Sequence, residues 1–368
     1  MQFLAGGVGL MFTLIFAEVF FLKRFRREAI PWREITTNIN SGHAILWLLR
    51  GVEVLLYLTI FKAVSLGWVS EWHPIVLFLF TFVAFDFSYY WSHRTHHTIP
   101  LMWRVHSVHH QAEHFSLSMG IRNSYFSVLT AFPFFAWLAI VGVPLEVYVA
   151  ASGLNYFIQF YNHNGVVKKS GWLEKILITP SHHRVHHGRH KVYLNKNHGG
   201  VLVIWDKLFG TFQAELDELP KTYGIIGERP EYNPLRANLI PLLRHFGWAK
   251  ERKQKQTIRY TYPDWYLMSG TVVLSAMFIG YIYLTEVATG WSVFALLGFL
   301  FSGTILLGGI AEGQKSALIA WMVLTLLGGP VLFVAAGWHI NVPIVLGFTL
   351  LGCHGFWGAG YLDNEPET

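Results

Sequence analysis

Charged residues are scarce in this sequence of 368 residues, where Asp, Glu, Lys and Arg together make up only 14%. An ordinary soluble domain contains about 25% of these residues, whereas hydrophobic residues here reach 53%. This composition excludes a typical soluble enzyme, a disordered chain and a nucleic-acid-binding domain. Cysteine is almost absent, because Cys353 is the only one, which excludes an intramolecular disulfide framework and a cysteine-based metal site.

Long apolar stretches are abundant, and they predict an all-α fold, a polytopic membrane helical bundle. A bilayer core requires about 20 apolar residues for each helix that crosses it. An apolar run at 125–161, interrupted by Gly142 and Pro144, is predicted to form a hairpin of two helices. Single membrane-spanning helices are predicted at residues 1–22, 43–68, 74–91, 265–287, 291–310, 317–337 and 342–360.

The order of these stretches predicts three regions. Residues 1–91 hold the N-terminal transmembrane helices, residues 92–262 form a histidine-rich catalytic region that includes the membrane hairpin at 125–161, and residues 263–368 form a C-terminal four-helix transmembrane region. The loops at 23–33, 94–122 and 162–262 carry nearly all of the Lys and Arg, and the helix count puts them on one side. The positive-inside rule therefore predicts a multi-pass membrane protein whose histidine-rich cap is cytoplasmic.

Histidines are concentrated in three short clusters, and 13 of the 19 lie within 93–114 and 182–198. The first cluster is an H-x3-H motif, and the second and third are H-x2-HH motifs. On an α-helix these offsets share one face, so each cluster is expected to present two or three imidazoles to one point. The clustered histidines are His93, His97, His106, His109, His110, His183, His186 and His187.

Eight imidazoles exceed what one metal ion needs and suit two ions close together. Imidazole binds zinc, copper, iron and nickel alike, so these residues alone leave the metal open. The sequence has no H-E-x-x-H motif, which gives a zinc-protease interpretation little support. Asp86, Glu113 and His182 lie beside the clusters and are candidate outer partners of the ligands. Asp86 in particular could accept a hydrogen bond from a ligand ring.

These motifs and their flanking residues, from Phe85 to Phe212, resemble the membrane fatty acid hydroxylase / sterol desaturase superfamily. The resemblance implies a non-haem di-iron centre that uses O2 and external electrons on a lipid chain. It carries the metal-ligand role onto the eight clustered histidines. It adds His163, in the segment Tyr161-Asn-His-Asn, as a ninth ligand.

Two further segments, 109–124 and 187–212, are similar to the alkylglycerol monooxygenase branch of that superfamily. That branch hydroxylates the ether-bearing carbon of an O-alkyl glycerol with tetrahydrobiopterin as reductant. The resemblance therefore implies two iron ions, O2 as co-substrate, and a pterin or another external electron donor. The implied partners are a membrane lipid substrate, the bilayer and an electron-transfer partner.

Other functions stay open at this point. The same ligands would serve a desaturase or hydroxylase acting on a sterol, fatty acyl or carotenoid substrate. A metal transporter would carry ionisable residues inside several spans, and the late helices contain almost none. A membrane scaffold would explain the small residues of the C-terminal helices but leaves the histidine clusters without a purpose.

Overall fold

The computed structural model describes residues 2–41, 43–249, 259–287, 290–335 and 342–367 of the chain. The helices of the first half are α1 (Gln2–Phe21), α2 (Trp32–Asn40), α3 (His43–Val64), α4 (Pro74–Thr98), α5 (Pro100–His110), α6 (Leu117–Ile121), α7 (Ser127–Ala131), α8 (Ala136–Val141) and α9 (Leu145–Asn162). The later helices are α10 (Pro180–His187), α11 (Ile204–Leu208), α12 (Pro234–His245), α13 (Asp264–Val287), α14 (Trp291–Ala311), α15 (Lys315–Val323), α16 (Gly329–Ala335) and α17 (Val342–Gly358).

The predicted all-α class is confirmed. Two-residue strands β1 (Arg259–Tyr260) and β2 (Pro366–Glu367) form one antiparallel pair. Short π-helical segments, Leu22–Arg26 and Leu324–Gly328, continue α1 and join α15 to α16. Within the described residues, six helical stretches are long and apolar enough to cross a bilayer: Gly6–Arg26, Pro74–Thr98, Asp264–Ile282, Trp291–Ala311, Lys315–Ala335 and Ile344–Tyr361.

The chain divides into two compact units, one of Met1–Ile45 with Glu231–Thr368 and one of Leu46–Pro230. We refer to the second as the histidine unit, since it contains all three histidine clusters. The three regions predicted from sequence, with boundaries at residues 91 and 262, are based on composition, whereas the two units are based on packing. The predicted boundaries stay a prediction.

The α4 helix organises the histidine unit by packing against α5 and α9. It runs without a break from its apolar first turns into the first histidine cluster, as the sequence predicts. It ends at Thr98 because the residue before Pro100 is forced out of the helical region, and Ile99 is extended (φ −92°, ψ 121°). The α5 helix starts at this proline, so two clusters follow each other across one sharp corner.

The run at 125–161 bends where the sequence predicts. Gly142 takes the left-handed conformation (φ 103°), and Pro144 precedes the start of α9. The first limb, however, is not one helix. It consists of α7 and α8 joined by a 3-10 turn at Phe132–Phe134, because Pro133 lacks the N–H that a continuous α-helix uses.

Arg50 and Glu53 form a pair within the histidine unit, and these two side chains are hydrogen bonded. Tyr148 donates its hydroxyl to the other carboxylate oxygen of Glu53 at 2.6 Å. Tyr156 lies under the guanidinium, 4.5 Å from ring centre to Cζ. This network satisfies two charges on a mainly apolar helix and links α3 to α9.

Asp86 fastens α4 to the loop that follows the third histidine cluster. Its two carboxylate oxygens accept hydrogen bonds from the backbone N–H groups of Val201 and Leu202, from Trp205 Nε1 and from Asn155 Nδ2, all at 2.8–3.0 Å. The loop approaches closely only because residue 200 is glycine. A Cβ there would lie 2.8 Å from the Tyr89 ring.

The other unit contains α1, α2 and the helices from α12 onward, with α13 packed against α14, α17 and α2. A buried histidine joins three of these helices. His354 accepts a hydrogen bond from Trp321 Nε1 at 3.0 Å and donates to the carbonyl of Tyr266 at 2.8 Å. Both ring nitrogens are therefore used in packing.

The α2 helix was not predicted from the sequence, because its residues are mostly polar. Most of them are buried all the same. Asn40 donates to Thr271 Oγ1 on α13 at 2.9 Å, and Thr37 donates to the carbonyls of Arg33 and Tyr232. These hydrogen bonds let a polar helix pack in an apolar unit.

We expect Asp86→Asn to destabilise the histidine unit by roughly 3 kcal/mol, since the amide nitrogen cannot accept the bonds that one carboxylate oxygen accepts now. Thermal melting of the detergent-purified protein measures the effect. Asp217→Asn is the control, because that carboxylate is exposed and pairs with Lys169 at the surface. Equal melting temperatures for the two variants would contradict this role for Asp86.

Candidate metal centre

Nine imidazoles converge in the histidine unit, and they are the nine predicted as ligands. Within each of two groups, the nearest ring nitrogens all lie within 4.8 Å of one another. The five-histidine group is His93, His97, His106, His110 and His186. The four-histidine group is His109, His163, His183 and His187.

Each H-x2-HH motif is divided between the two groups. On α5, His106 and His110 face the five-histidine group, whereas His109 faces the other. On α10, His186 faces the five-histidine group, whereas His183 and His187 face the four-histidine group. The expectation of two or three imidazoles from each cluster at one point is met by two, and the third histidine of each H-x2-HH motif faces the other group. Adjacent residues differ by about 100° around a helix, so neighbouring histidines point to different places.

The remaining ligand positions come from two other helices. The α4 helix presents His93 and His97, which are one turn apart, to the five-histidine group. His163 follows α9 directly as its C-terminal cap residue and enters the four-histidine group. The five-histidine group thus draws on α4, α5 and α10, and the four-histidine group draws on α5, α9 and α10, so the two groups share α5 and α10.

Backbone carbonyls orient four of the rings. Each carbonyl accepts a hydrogen bond from ring Nδ1 at 2.8–3.0 Å, which fixes the tautomer and turns Nε2 inward. The pairs of ring and carbonyl are His93 with His198, His109 with Arg122, His163 with Gln159, and His186 with Lys196.

The distances between Nε2 atoms show that these rings fit a cation. His109 and His163 both carry their proton on Nδ1, yet their Nε2 atoms are 3.2 Å apart. Two facing lone pairs at this distance repel and cannot share a hydrogen bond. Two imidazoles bound to one metal at right angles, with metal–nitrogen bonds of about 2.1 Å, would be about 3 Å apart. Both groups therefore fit metal binding, and their all-imidazole donors fit iron.

Two nitrogens of the five-histidine group support the same fit. His97 Nε2 and His186 Nε2 are buried and have no hydrogen-bond partner among the described residues. Buried polar atoms are nearly always paired, so these two atoms require a ligand. His93 Nε2 lies 3.0 Å from His106 Nε2, the spacing found in the other group.

Loop side chains hold the carbonyls in place. Arg122 is fully buried and donates to the carbonyl of Val108 at 2.7 Å and to Gln111 Oε1 at 2.6 Å. Asp206 accepts the N–H groups of His198 and Gly199 at 2.7 and 2.8 Å. These contacts position the ligands indirectly, an outer layer on which metal sites commonly depend.

The three predicted outer partners lie elsewhere. The carboxylate of Asp86 binds the 201–205 loop and Asn155 rather than a ligand ring, a correction to its predicted role. Glu113 is 3.7 Å from Arg189 in a partly exposed ion pair. The His182 ring packs edge-on against Phe212, with centroids 5.3 Å apart.

Two arginines near the clusters form hydrogen bonds within the fold. Arg122 is buried as described above. Arg184 binds Glu215 with two nitrogens, at 2.7 and 2.8 Å, and donates to the carbonyl of Val167. Neither guanidinium is available to an anionic lipid.

Burial keeps the ligand imidazoles neutral. It lowers the pKa of His109 from 6.5 to about 4. It also lowers the pKa of His110, His163, His183 and His187 well below 6.5, and neighbouring imidazoles add to the shift. Neutral imidazole is the form that binds a metal ion.

Comparison with known proteins shows what the chain is similar to. Residues 78–211, all within the histidine unit, match the fatty acid hydroxylase family. The chain is also similar to three named proteins. Alkylglycerol monooxygenase of Homo sapiens is 38% identical over 59% of this chain and 48% of its own. Alkylglycerol monooxygenase of Danio rerio is 39% identical over 48% of this chain and 39% of its own length. Ornithine lipid hydroxylase OlsE of Rhizobium tropici is 30% identical over 44% of this chain and 49% of its own length.

These matches confirm the resemblance predicted from the histidine motifs. The aligned part spans about half the length, or less, of these curated relatives. No solved structure matches the chain. The relatives are named as lipid-modifying monooxygenases and hydroxylases, and the model contributes six candidate membrane spans among its described residues.

We expect the metal-free protein to lose stability as the pH falls from 7 to 5. The unfolded chain takes up protons on its histidines near pH 6.5, whereas folded His109 does so only near pH 4, so acid favours unfolding. His109 alone contributes about 2 kcal/mol of this loss by pH 5. Thermal melting at a series of pH values measures it, with His109→Gln expected to flatten the profile. A flat profile for the unaltered protein would contradict this assignment.

Proposed function

We propose that the chain is an integral-membrane, non-haem di-iron oxygenase that hydroxylates a lipid chain, with an O-alkyl glycerol as its best-supported substrate. The observation that carries the proposal is the convergence of nine buried or half-buried imidazoles into two groups whose nitrogen spacing fits two cations. The match of residues 78–211 to the fatty acid hydroxylase family supports iron and oxygen chemistry over metal transport or a scaffold role.

Each histidine group would hold one iron ion. Bound iron supplies the redox chemistry that activates O2, which side chains cannot perform themselves. The protein keeps the imidazoles neutral, aims their Nε2 atoms inward and limits the access of water. Trp103 lies over His97 and His110, with ring centroids 5.2 and 5.4 Å apart. Phe115 lies 6.0 Å from the His163 ring in the other group.

The proposed reaction inserts one oxygen atom of O2 into the C–H bond beside the ether oxygen. The other atom leaves as water, with two electrons and two protons from an external donor such as tetrahydrobiopterin. The resulting hemiacetal then splits into an aldehyde and glycerol. The similarity to alkylglycerol monooxygenases over 59% of this chain supports this substrate over sterol, fatty acyl or carotenoid substrates, whose desaturation or hydroxylation is the alternative.

An apolar groove on α4 offers a place for the alkyl tail. Its volume is about 520 Å³, and its lining comprises Val76, Leu79, Phe80, Val83, Ala84, Phe87 and Trp205. The groove lies on the helix that carries His93, toward the other end of that helix. In an alkylglycerol the reacting carbon is next to the polar head group. A tail in this groove would extend into the bilayer while the ether carbon stays near the imidazoles.

We place the two histidine groups on the cytoplasmic side of the membrane. The support for this orientation is the excess of Lys and Arg in the loops at 23–33, 94–122 and 162–262. A cytoplasmic site would give the centre access to a diffusible pterin or to an electron-transfer partner.

We expect iron-reconstituted protein in detergent to hold about two iron ions per chain and to release aldehyde from an alkylglycerol with tetrahydrobiopterin and O2. His186→Ala and His109→Ala each remove one nitrogen from a different group, so each should weaken one ion and abolish turnover. His96→Gln is the control, because His96 is hydrogen bonded to the Ser92 carbonyl and Thr130 outside both groups. Protein without iron, or variants with unchanged iron and turnover, would refute the proposal.

We expect Leu79→Trp to lower turnover of long alkylglycerols several-fold and to spare short ones, because the larger ring fills the groove. Turnover is measured against chain length. Ile75→Trp is the control, since Ile75 is exposed on the same helix but does not line the groove. Equal effects of the two substitutions at every chain length would contradict the assignment of the groove to the tail.

A further inference from the structure

His198 is a buried imidazole that the histidine motifs do not include. Its exposed fraction is 1%. Neither ring nitrogen makes a hydrogen bond of good geometry within the described residues, although the ring interacts with the backbone of Asn195. A neutral imidazole has one N–H to donate and one lone pair to accept with. At least one ring nitrogen is therefore available to a further ligand.

The ring lies against the five-histidine group. Its centroid is 5.0 Å from that of His97, 5.6 Å from His93 and 5.8 Å from His186. Rings within the group are separated by comparable distances, from 4.4 Å between His93 and His186 to 6.4 Å between His106 and His186. Measured between ring centroids, His198 is thus as close to three members as members are to each other, although its nitrogens lie outside the 4.8 Å spacing that the five share.

The backbone fixes His198 at this position. Its N–H donates to Asp206 Oδ1 at 2.7 Å, and its carbonyl accepts the Nδ1 proton of His93 at 2.9 Å. Both contacts use main-chain atoms. They hold the ring beside the group and do not use its two nitrogens.

We propose that His198 is a sixth imidazole of the five-histidine group and binds the metal ion held there. The inference rests on the proposed function, since it concerns the same metal centre. With His198 bound, six nitrogens surround this ion, and the ion of the four-histidine group keeps more open positions. The two metal sites then differ, and His198 is one cause of the difference.

His198→Phe tests the proposal, because phenylalanine keeps a ring of similar size, removes both nitrogens and preserves the two main-chain contacts. His182→Phe is the matched control. His182 is 2% exposed, and its Nδ1 also has no hydrogen-bond partner within the described part of the chain, but its ring packs on Phe212. Two quantities are measured on iron-loaded protein: iron retained at graded chelator concentrations, and the ⁵⁷Fe Mössbauer spectrum.

We expect His198→Phe to release one of the two ions at a chelator concentration at least tenfold lower than the parent requires, and to shift the signal of one iron only. His182→Phe should match the parent in both measurements. Parent-like retention and spectrum in His198→Phe would overturn the role of His198. An equal change in His182→Phe would overturn it too, because the effect would then come from repacking.

The design separates this inference from the proposed function. If the parent protein binds no iron, the metal centre itself is refuted. If the parent binds two ions and His198→Phe binds both as tightly, only the role of His198 is refuted. Should the phenylalanine variant fail to fold, His198→Gln decides in the same way, because its side chain is smaller and polar and lacks the imidazole.

Discussion

The hydrogen bond from ring Nδ1 to a backbone carbonyl is the contact on which the centre depends most. It occurs at His93, His109, His163 and His186, twice in each group. Without it, a buried neutral imidazole could adopt either tautomer and several orientations. With it, Nε2 is an inward lone pair, and the facing lone pairs of His109 and His163 are 3.2 Å apart. That arrangement is repulsive when no cation is bound and favourable when the lone pairs surround a cation.

The rest of the histidine unit serves this arrangement. Arg122 and Asp206 are buried charged residues whose hydrogen bonds go largely to the backbone, and that backbone carries the carbonyls facing His109 and His93. Asp86 fastens the same loop region to α4. Buried charges require several hydrogen bonds to be tolerated. Each of these residues therefore fixes several main-chain groups at once, which makes the loops as rigid as the helices they join.

Much of the centre could be predicted from sequence because helical spacing encodes it. Residues four apart share a face, so the pairs at 93 and 97, 106 and 110, and 183 and 187 come together as expected. The division of each H-x2-HH motif follows from the same geometry, since consecutive residues point about 100° apart. The role expected of Asp86 fails for a related reason. Seven residues of helix separate it from His93 by about 10 Å, so a position beside the cluster in sequence does not imply contact.

Other features left no signal in the sequence. The carbonyls that orient the rings belong to Arg122, Gln159, Lys196 and His198, and any residue type supplies a carbonyl. The α2 helix was missed because polar residues usually indicate exposure, whereas here tertiary hydrogen bonds such as Asn40 to Thr271 compensate for burial. The break of the first hairpin limb at Pro133 depends on local backbone geometry that hydropathy does not record.

The central claim is that two groups of imidazoles hold two iron ions. X-ray absorption at the iron edge of reconstituted protein tests it most directly, because it reports the atoms bound to iron independently of any substrate. The account predicts a first shell dominated by nitrogen, with the outer-shell scattering characteristic of several imidazole rings and about two iron ions per chain. A first shell dominated by oxygen, or iron bound without imidazole scattering, would contradict it.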